Sequence, residues 1–209
     1  MSAADRPVRR PVQERARQRR EALLDATARI LDRDGWDALT TNAVAKEARA
    51  AVGTVYEYFP SREALLVGLL ERHGERLSAV VDGALRSAGS DLERATGDVV
   101  DAFARFWVEE PGYRAAWLGA QASEVLAATG ALWGDRFTRR LAESLKPVAP
   151  ALAARERKDV ARTAVHLVSG LLLVAATSSP RDRRVMIEET KVALAAYLAA
   201  RLARPRAAR

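Results

Sequence analysis

Between Thr40 and Leu65 the chain reads TTNAVAKEARAAVGTVYEYFPSREAL, and no other stretch restricts the possible fold as much. Val44, Ala45 and Ala48 recur at helical spacing behind Thr40, a good N-cap, while a second run spans Val52 to Tyr58. Pro60 and Ser61 then stop that run and cap a new helix before Glu63. Helices this short are marginal in water, so both must dock on longer neighbours. Two short helices with a tight turn, the second carrying small and hydroxylated residues, suit a helix-turn-helix whose second helix enters a major groove.

The neighbours are helical by the same reasoning. Leu23, Leu24, Thr27, Ile30 and Leu31 predict a first helix from about Arg19 to Asp34, with Gly35 ending it. A long stripe from Leu66 to Ala84 predicts a fourth, and Leu92 to Trp107 a fifth that stops at Pro111. Tyr113 to Leu118 follows as a short sixth, then a seventh around Leu126 to Leu141 that ends before Pro147. Ala151 to Thr177 and Val185 to Leu202 complete the series. With no two-residue alternation of any length, the expectation is an all-α chain of about nine helices: an N-terminal three-helix DNA-binding domain and a C-terminal helical bundle. The expected division is a basic arm over 1–18, the helix-turn-helix domain over 19–70, a ligand-binding and dimerisation domain over 71–204, and a basic tail over 205–209.

Charge supports this division. The chain of 209 residues carries +7, of which +5 falls in residues 1–20 and +4 in residues 201–209, leaving a body of −2. Arg6, Arg9, Arg10, Arg15, Arg17, Arg19 and Arg20 form an arm able to lie in a minor groove or to stay unstructured. No apolar run of secretory type follows them, so the cytoplasm is the expected compartment. The most apolar stretch, Ala164 to Thr177, falls short of the ~20 residues of a membrane span and reads as a buried helix. The absence of cysteine removes disulfides, thiolate nucleophiles and sulfur-ligated zinc. No catalytic constellation stands out: His73 and His166 are the only histidines, each on a mainly apolar face, and no phosphate loop or serine elbow is present. Neither enzyme activity, cofactor nor metal is expected.

Within the short helices, Gly53 lets the backbone approach DNA and Thr54 can reach a base edge or a thymine methyl. Tyr56 and Tyr58 can donate to phosphates, and Arg62, in the first turn of the next helix, and Thr41 can do the same. With Val52 these make up the expected DNA-binding set. At Thr40, Thr41, Val44, Ala45, Gly53, Tyr56, Tyr58, Phe59 and Leu65 the segment resembles the tetracycline-repressor (TetR) family of bacterial transcription regulators, with Arg62 where that family has Lys. It departs at the turn, where Arg49, Ala50 and Ala51 stand for Gly, Val and Ser. Ala51 therefore removes the usual N-cap, a loss of roughly 1 kcal/mol. Arg49 must adopt, or avoid, a backbone conformation usually left to Gly.

The resemblance implies a homodimer on a palindromic operator and a small effector bound among helices 4 to 8. His73, Phe103, Trp107, Trp117, Gln121, Trp133 and Phe137 are the candidate effector residues, within an aromatic set that includes Phe106 and Tyr113; plain core is the competing role for each. His166, Gly170 and Val174 on helix 8 with Thr190, Leu194 and Tyr197 on helix 9 are the candidate dimer face. The expected function is a ligand-responsive repressor released from DNA by an apolar or aromatic effector. The alternatives are a similar regulator switched by a protein partner, and an all-α binding module or enzyme with a vestigial helix-turn-helix.

Overall fold

A computed structural model describes residues 9–88, 91–120 and 123–202. Among these residues there are nine helices and no strand: α1 (Arg9–Asp34), α2 (Thr41–Glu47), α3 (Val52–Tyr58), α4 (Arg62–Ala88), α5 (Leu92–Glu109), α6 (Tyr113–Ala120), α7 (Glu124–Val148), α8 (Ala154–Thr177) and α9 (Pro180–Leu202). The all-α expectation and the order of the helices hold.

Several helix bounds differ from the sequence reading; α8, for one, starts at Ala154 rather than Ala151. Helix α1 starts at Arg9 rather than Arg19: Pro11 falls in its first turn, where a missing N–H is tolerated, and Glu14 pairs with Arg17 and Gln18 across single turns. The expected arm is therefore helical from Arg9, and Arg6 lies outside the described residues. Helix α7 runs one residue past Pro147, which sits in its last turn. Helix α9 begins at Pro180 because Ser179 caps it, accepting from the Asp182 amide at 3.2 Å while its hydroxyl donates to the Asp182 carboxylate at 2.8 Å.

Two apolar cores are stacked along α4. The first joins Leu23, Leu24, Ile30 and Leu31 of α1 to Val44, Val55, Phe59 and the Leu65–Leu70 part of α4, with Ala116 of α6 and Leu126 of α7 reaching in. The second gathers Leu77 of α4, Val100, Phe106 and Trp107 of α5, and buried leucines and valines of α7, α8 and α9. Gly112 permits the join between them: with φ of 72° it brings the α5–α6 turn so near α1 that a Cβ would lie 2.8 Å from the Ala28 Cα. Helix α8 is long and apolar enough to cross a membrane, with mean hydropathy 1.6, yet Val160, Ala164, Val168 and Leu172 are packed inside the second core. One face of α8 is thus buried as the sequence reading expects, while His166, Gly170 and Val174 on another are exposed.

Candidate nucleic-acid interface and internal cavity

Helix α2 is set by its cap and its inner face. The Thr40 hydroxyl accepts from the Ala43 amide at 3.0 Å, and Val44 and Ala45 are buried. Glu47 ties the far end to α1 through Arg29 at 2.8 Å and Arg33 at 3.1 Å, and these guanidiniums hold its carboxyl below the usual range. The turn follows the strained course open to it: Arg49 has φ of 53°, the left-handed conformation that disfavours a side chain. Helix α3 then starts without a side-chain cap at Ala51, as its sequence requires.

Helix α3 has one buried residue, Val55, and its opposite face is open. Tyr56 is 52% exposed and Val52 40%, and nothing lies within 4 Å of the place a Gly53 side chain would occupy. The hydroxyls of Thr41 and Tyr56 are 3.2 Å apart, so both DNA-facing candidates are held at one point between α2 and α3. Thr54 is half-buried beside them, and Tyr58 is half-buried against the first core. Arg62 differs from its expected free posture: its Nη2 donates to the Trp36 carbonyl at 2.6 Å and the guanidinium lies 5.1 Å from the centroid of the Trp36 indole. Its reach toward a phosphate is thus limited by an internal attachment that periodicity does not reveal.

In the second core, α4 to α9 enclose a largely apolar cavity of about 370 Å³. Phe103, Trp117, Trp133 and Phe137 line it, as the sequence suggests. His73 and Trp107 do not. His73 is fully buried, its Nε2–H donating to the Pro111 carbonyl at 3.0 Å, and burial with the nearby Arg72 pushes its pKa down to about 3. Trp107 packs edge-on to Tyr113 at 4.9 Å between centroids. Both are wall supports rather than wall, and Gln121 lies outside the described residues. Tyr113 of the aromatic set lines the cavity too, and so does the α4 stripe of Leu70, Gly74, Leu77 and Val81, which the sequence reading does not include in the effector set. The stripe's strict helical spacing was visible, but which side of it faced a void was not.

The candidate dimer face divides. His166, Gly170 and Val174 of α8 are exposed on one side, and no other atom lies within 4 Å of a Cβ built at Gly170. Thr190 and Leu194 of α9 face inward instead: Thr190 is fully buried with its hydroxyl on the Met186 carbonyl at 2.7 Å, and Leu194 lines the cavity. Tyr197 is half-buried. The outward stripe of α9 is Val185 and Val192, the latter 62% exposed, with Ala196 and Ala199. Thr190 and Leu194 are therefore corrected to core residues, because α9 has apolar residues on both sides and its inner stripe is the one against α5 and α8.

The fold is thus an all-α protein with an open-faced helix-turn-helix set on a hollow helical bundle. The profile for bacterial regulatory proteins of the tetR family matches residues 23–69, and that for the tetracyclin repressor-like C-terminal domain matches residues 91–198. The chain belongs to the TetR family. It is similar to the HTH-type transcriptional repressor KstR of Mycolicibacterium smegmatis, 44% identical over 81 residues, which are 39% of this chain and 40% of that protein. It is also similar to the HTH-type transcriptional regulator BetI of Rhizobium meliloti, 27% identical over 74% of this chain and 76% of BetI. Among solved structures, a TetR-family transcriptional regulator from Streptomyces coelicolor superposes with a TM-score of 0.69 at 28% identity, over 88% of this chain and 99% of that one.

Proposed function

We propose that this TetR-family chain is a ligand-responsive repressor that binds a palindromic operator as a homodimer through α2 and α3 and leaves it when an apolar or aromatic effector fills the cavity. The observation that carries this reading is the course of α4. Arg62 at its start adjoins α3, Leu65 to Leu70 belong to the head core, and the turns from Leu70 onward form a wall of the cavity. Occupancy of the cavity that prefers one position of α4 necessarily favours one position of α3, and in a dimer one spacing of the two recognition helices. Thr41, Val52, Gly53, Thr54, Tyr56 and Tyr58 meet the duplex, and Arg62 holds the α3–α4 corner. The work is that of a cytoplasmic protein, in which neither catalysis nor a metal takes part.

The test is selection of bound fragments from genomic DNA, followed by affinity measurements on the selected site at several salt concentrations. A palindromic site bound with a steep salt dependence supports the reading. Equal affinity for unrelated duplexes would sink it.

A further inference from the structure

We propose that the cavity accepts a single-chain amphiphile bearing a carboxylate, with its tail directed toward Trp117 and its head at Arg86. This rests on the effector reading above and names the ligand class. The cavity is elongated. Its α4 wall runs through Leu70, Leu77, Val81 and Leu85, a span of roughly 22 Å at about 1.5 Å per residue. Helix α7 runs parallel to it: Trp133 lies on Gly74, and Arg140 bonds to Ser78 and Asp82 further along. About 370 Å³ distributed over such a length is a tube rather than a chamber.

The tube is polar at one end only. At the end near the DNA-reading head its wall is Leu70, Tyr113, Trp117 and Gly130, with no charged side chain. The charged wall residues, Arg86, Asp91 and Arg140, are all toward the other end. Asp91 is occupied in capping α5, accepting from the Arg94 amide at 3.0 Å, and Arg140 is paired with Asp82. Arg86 is the remaining cation, exposed at the mouth, with no ion-pair or hydrogen-bond partner among the described residues. A cation at the mouth of an apolar tube matches an anionic head on an apolar tail, since a carboxylate there gains a charge-assisted bond and the chain behind it leaves water.

Gly134 supplies a clean test. It lines the cavity, and nothing lies within 4 Å of a Cβ built on it, so a side chain there starts in open space at the cavity wall. Titration calorimetry on the full chain, without DNA and below the aggregation threshold of each probe, compares octanoate, dodecanoate, hexadecanoate and dodecanol. The expected result is that affinity rises more than tenfold from octanoate to dodecanoate, as successive methylenes are buried, and that dodecanol binds several-fold more weakly than dodecanoate. Gly134→Leu is expected to abolish binding while leaving the thermal midpoint unchanged or raised. Arg86→Gln is expected to remove the preference of acid over alcohol and to keep the chain-length dependence. The proposal is overturned if acid and alcohol bind alike, if octanoate matches hexadecanoate, if a compact polycyclic acid binds better than either, or if Gly134→Leu binds as the wild type does. Because the assay contains no DNA, such a failure concerns the ligand class alone. Tight binding that leaves operator affinity unchanged would instead overturn the effector reading and leave this one standing.

Discussion

The Trp36 indole lies against the α6 backbone at Gly119, so close that a Cβ there would fall 2.1 Å from the ring. Trp36 also receives Arg62, through its carbonyl and over its ring, and Arg62 opens α4 directly after α3. Two residues before Gly119, Trp117 lines the cavity. A short physical connection therefore runs from cavity wall to recognition helix by way of one tryptophan.

Gly119→Ala should drive Trp36 out of that seat. The expected cost is about 1–3 kcal/mol, the range for overpacking a filled site, with a changed tryptophan emission. Gly97→Ala is the control, since its Cβ meets nothing within 4 Å in mid-α5 and the change should stabilise slightly. Urea denaturation compares them. Equal stability of both variants would show that Trp36 yields at no cost and does not transmit force.

The turn between α2 and α3 sets a second expectation. Arg49 holds φ of 53° at a cost of roughly 1–2 kcal/mol for a side-chain-bearing residue, part of which Arg49→Gly recovers against its looser unfolded chain. Ala51→Ser supplies the missing cap of α3 and is worth about 1 kcal/mol. Each should raise the urea midpoint, and the pair should be close to additive only if the turn does not rearrange. A fall in stability for Arg49→Gly would mean that the arginine side chain makes a compensating contact.

How much of this was legible depended on how local each cause was. The Thr40 cap, the Gly35 stop and the strain at Arg49 are decided within a few residues, and the structure has all three where the sequence puts them. The inward turn of Thr190 and Leu194 depends on which of two apolar stripes of α9 meets α5 and α8, a choice that periodicity leaves open. Arg62 turned to Trp36, 26 residues away, a contact without any local signal. For the cavity, aromatic content pointed to the right helices but could not separate Trp133, which lines the void, from Trp107, which supports it.

On the DNA side, Tyr56→Phe should weaken binding to every duplex several-fold, the effect of about one lost hydrogen bond, and free Thr41 from its contact with the phenol. Thr54→Ala should change base preference with less effect on non-specific affinity. Arg62→Ala should lower stability as well as affinity because it releases Trp36. Fluorescence anisotropy with the selected operator and a scrambled duplex resolves the three, and wild-type behaviour of all three would remove α3 from the interface.

His73 gives the protein an acid limit. Facing Arg72 and Arg76, with Glu110 at 3.8 Å, its buried imidazole stays neutral down to about pH 3, whereas in the unfolded chain it takes up a proton near 6.5. Between those values the unfolded state binds the extra proton, so stability falls as pH falls through that window. From pH 7 to pH 5 the expected loss is about 2 kcal/mol, at 1.36 kcal/mol per pH unit below 6.5. Stability of His73→Gln should change less over the same interval. Parallel pH profiles of variant and wild type would assign the limb to other groups.

The proposed homodimer would pair through the open side of α8. A Cβ built at Gly170 meets no atom of its own protomer within 4 Å, the flanking His166 and Val174 are exposed, and so are Val185 and Val192 of α9. Gly170→Arg should therefore leave the protomer folded, and its helix propensity improves by up to about 1 kcal/mol. If two copies pair through α8 and α9 about a two-fold axis, each new guanidinium is forced into the interface together with its symmetry mate. Desolvation and like charge then oppose association. The expected outcome is a monomer by light scattering with unchanged helical content, and a sharp loss of affinity for the palindrome while a half-site is bound as before. A variant that stays dimeric and binds the palindrome at wild-type strength would place the interface on another face.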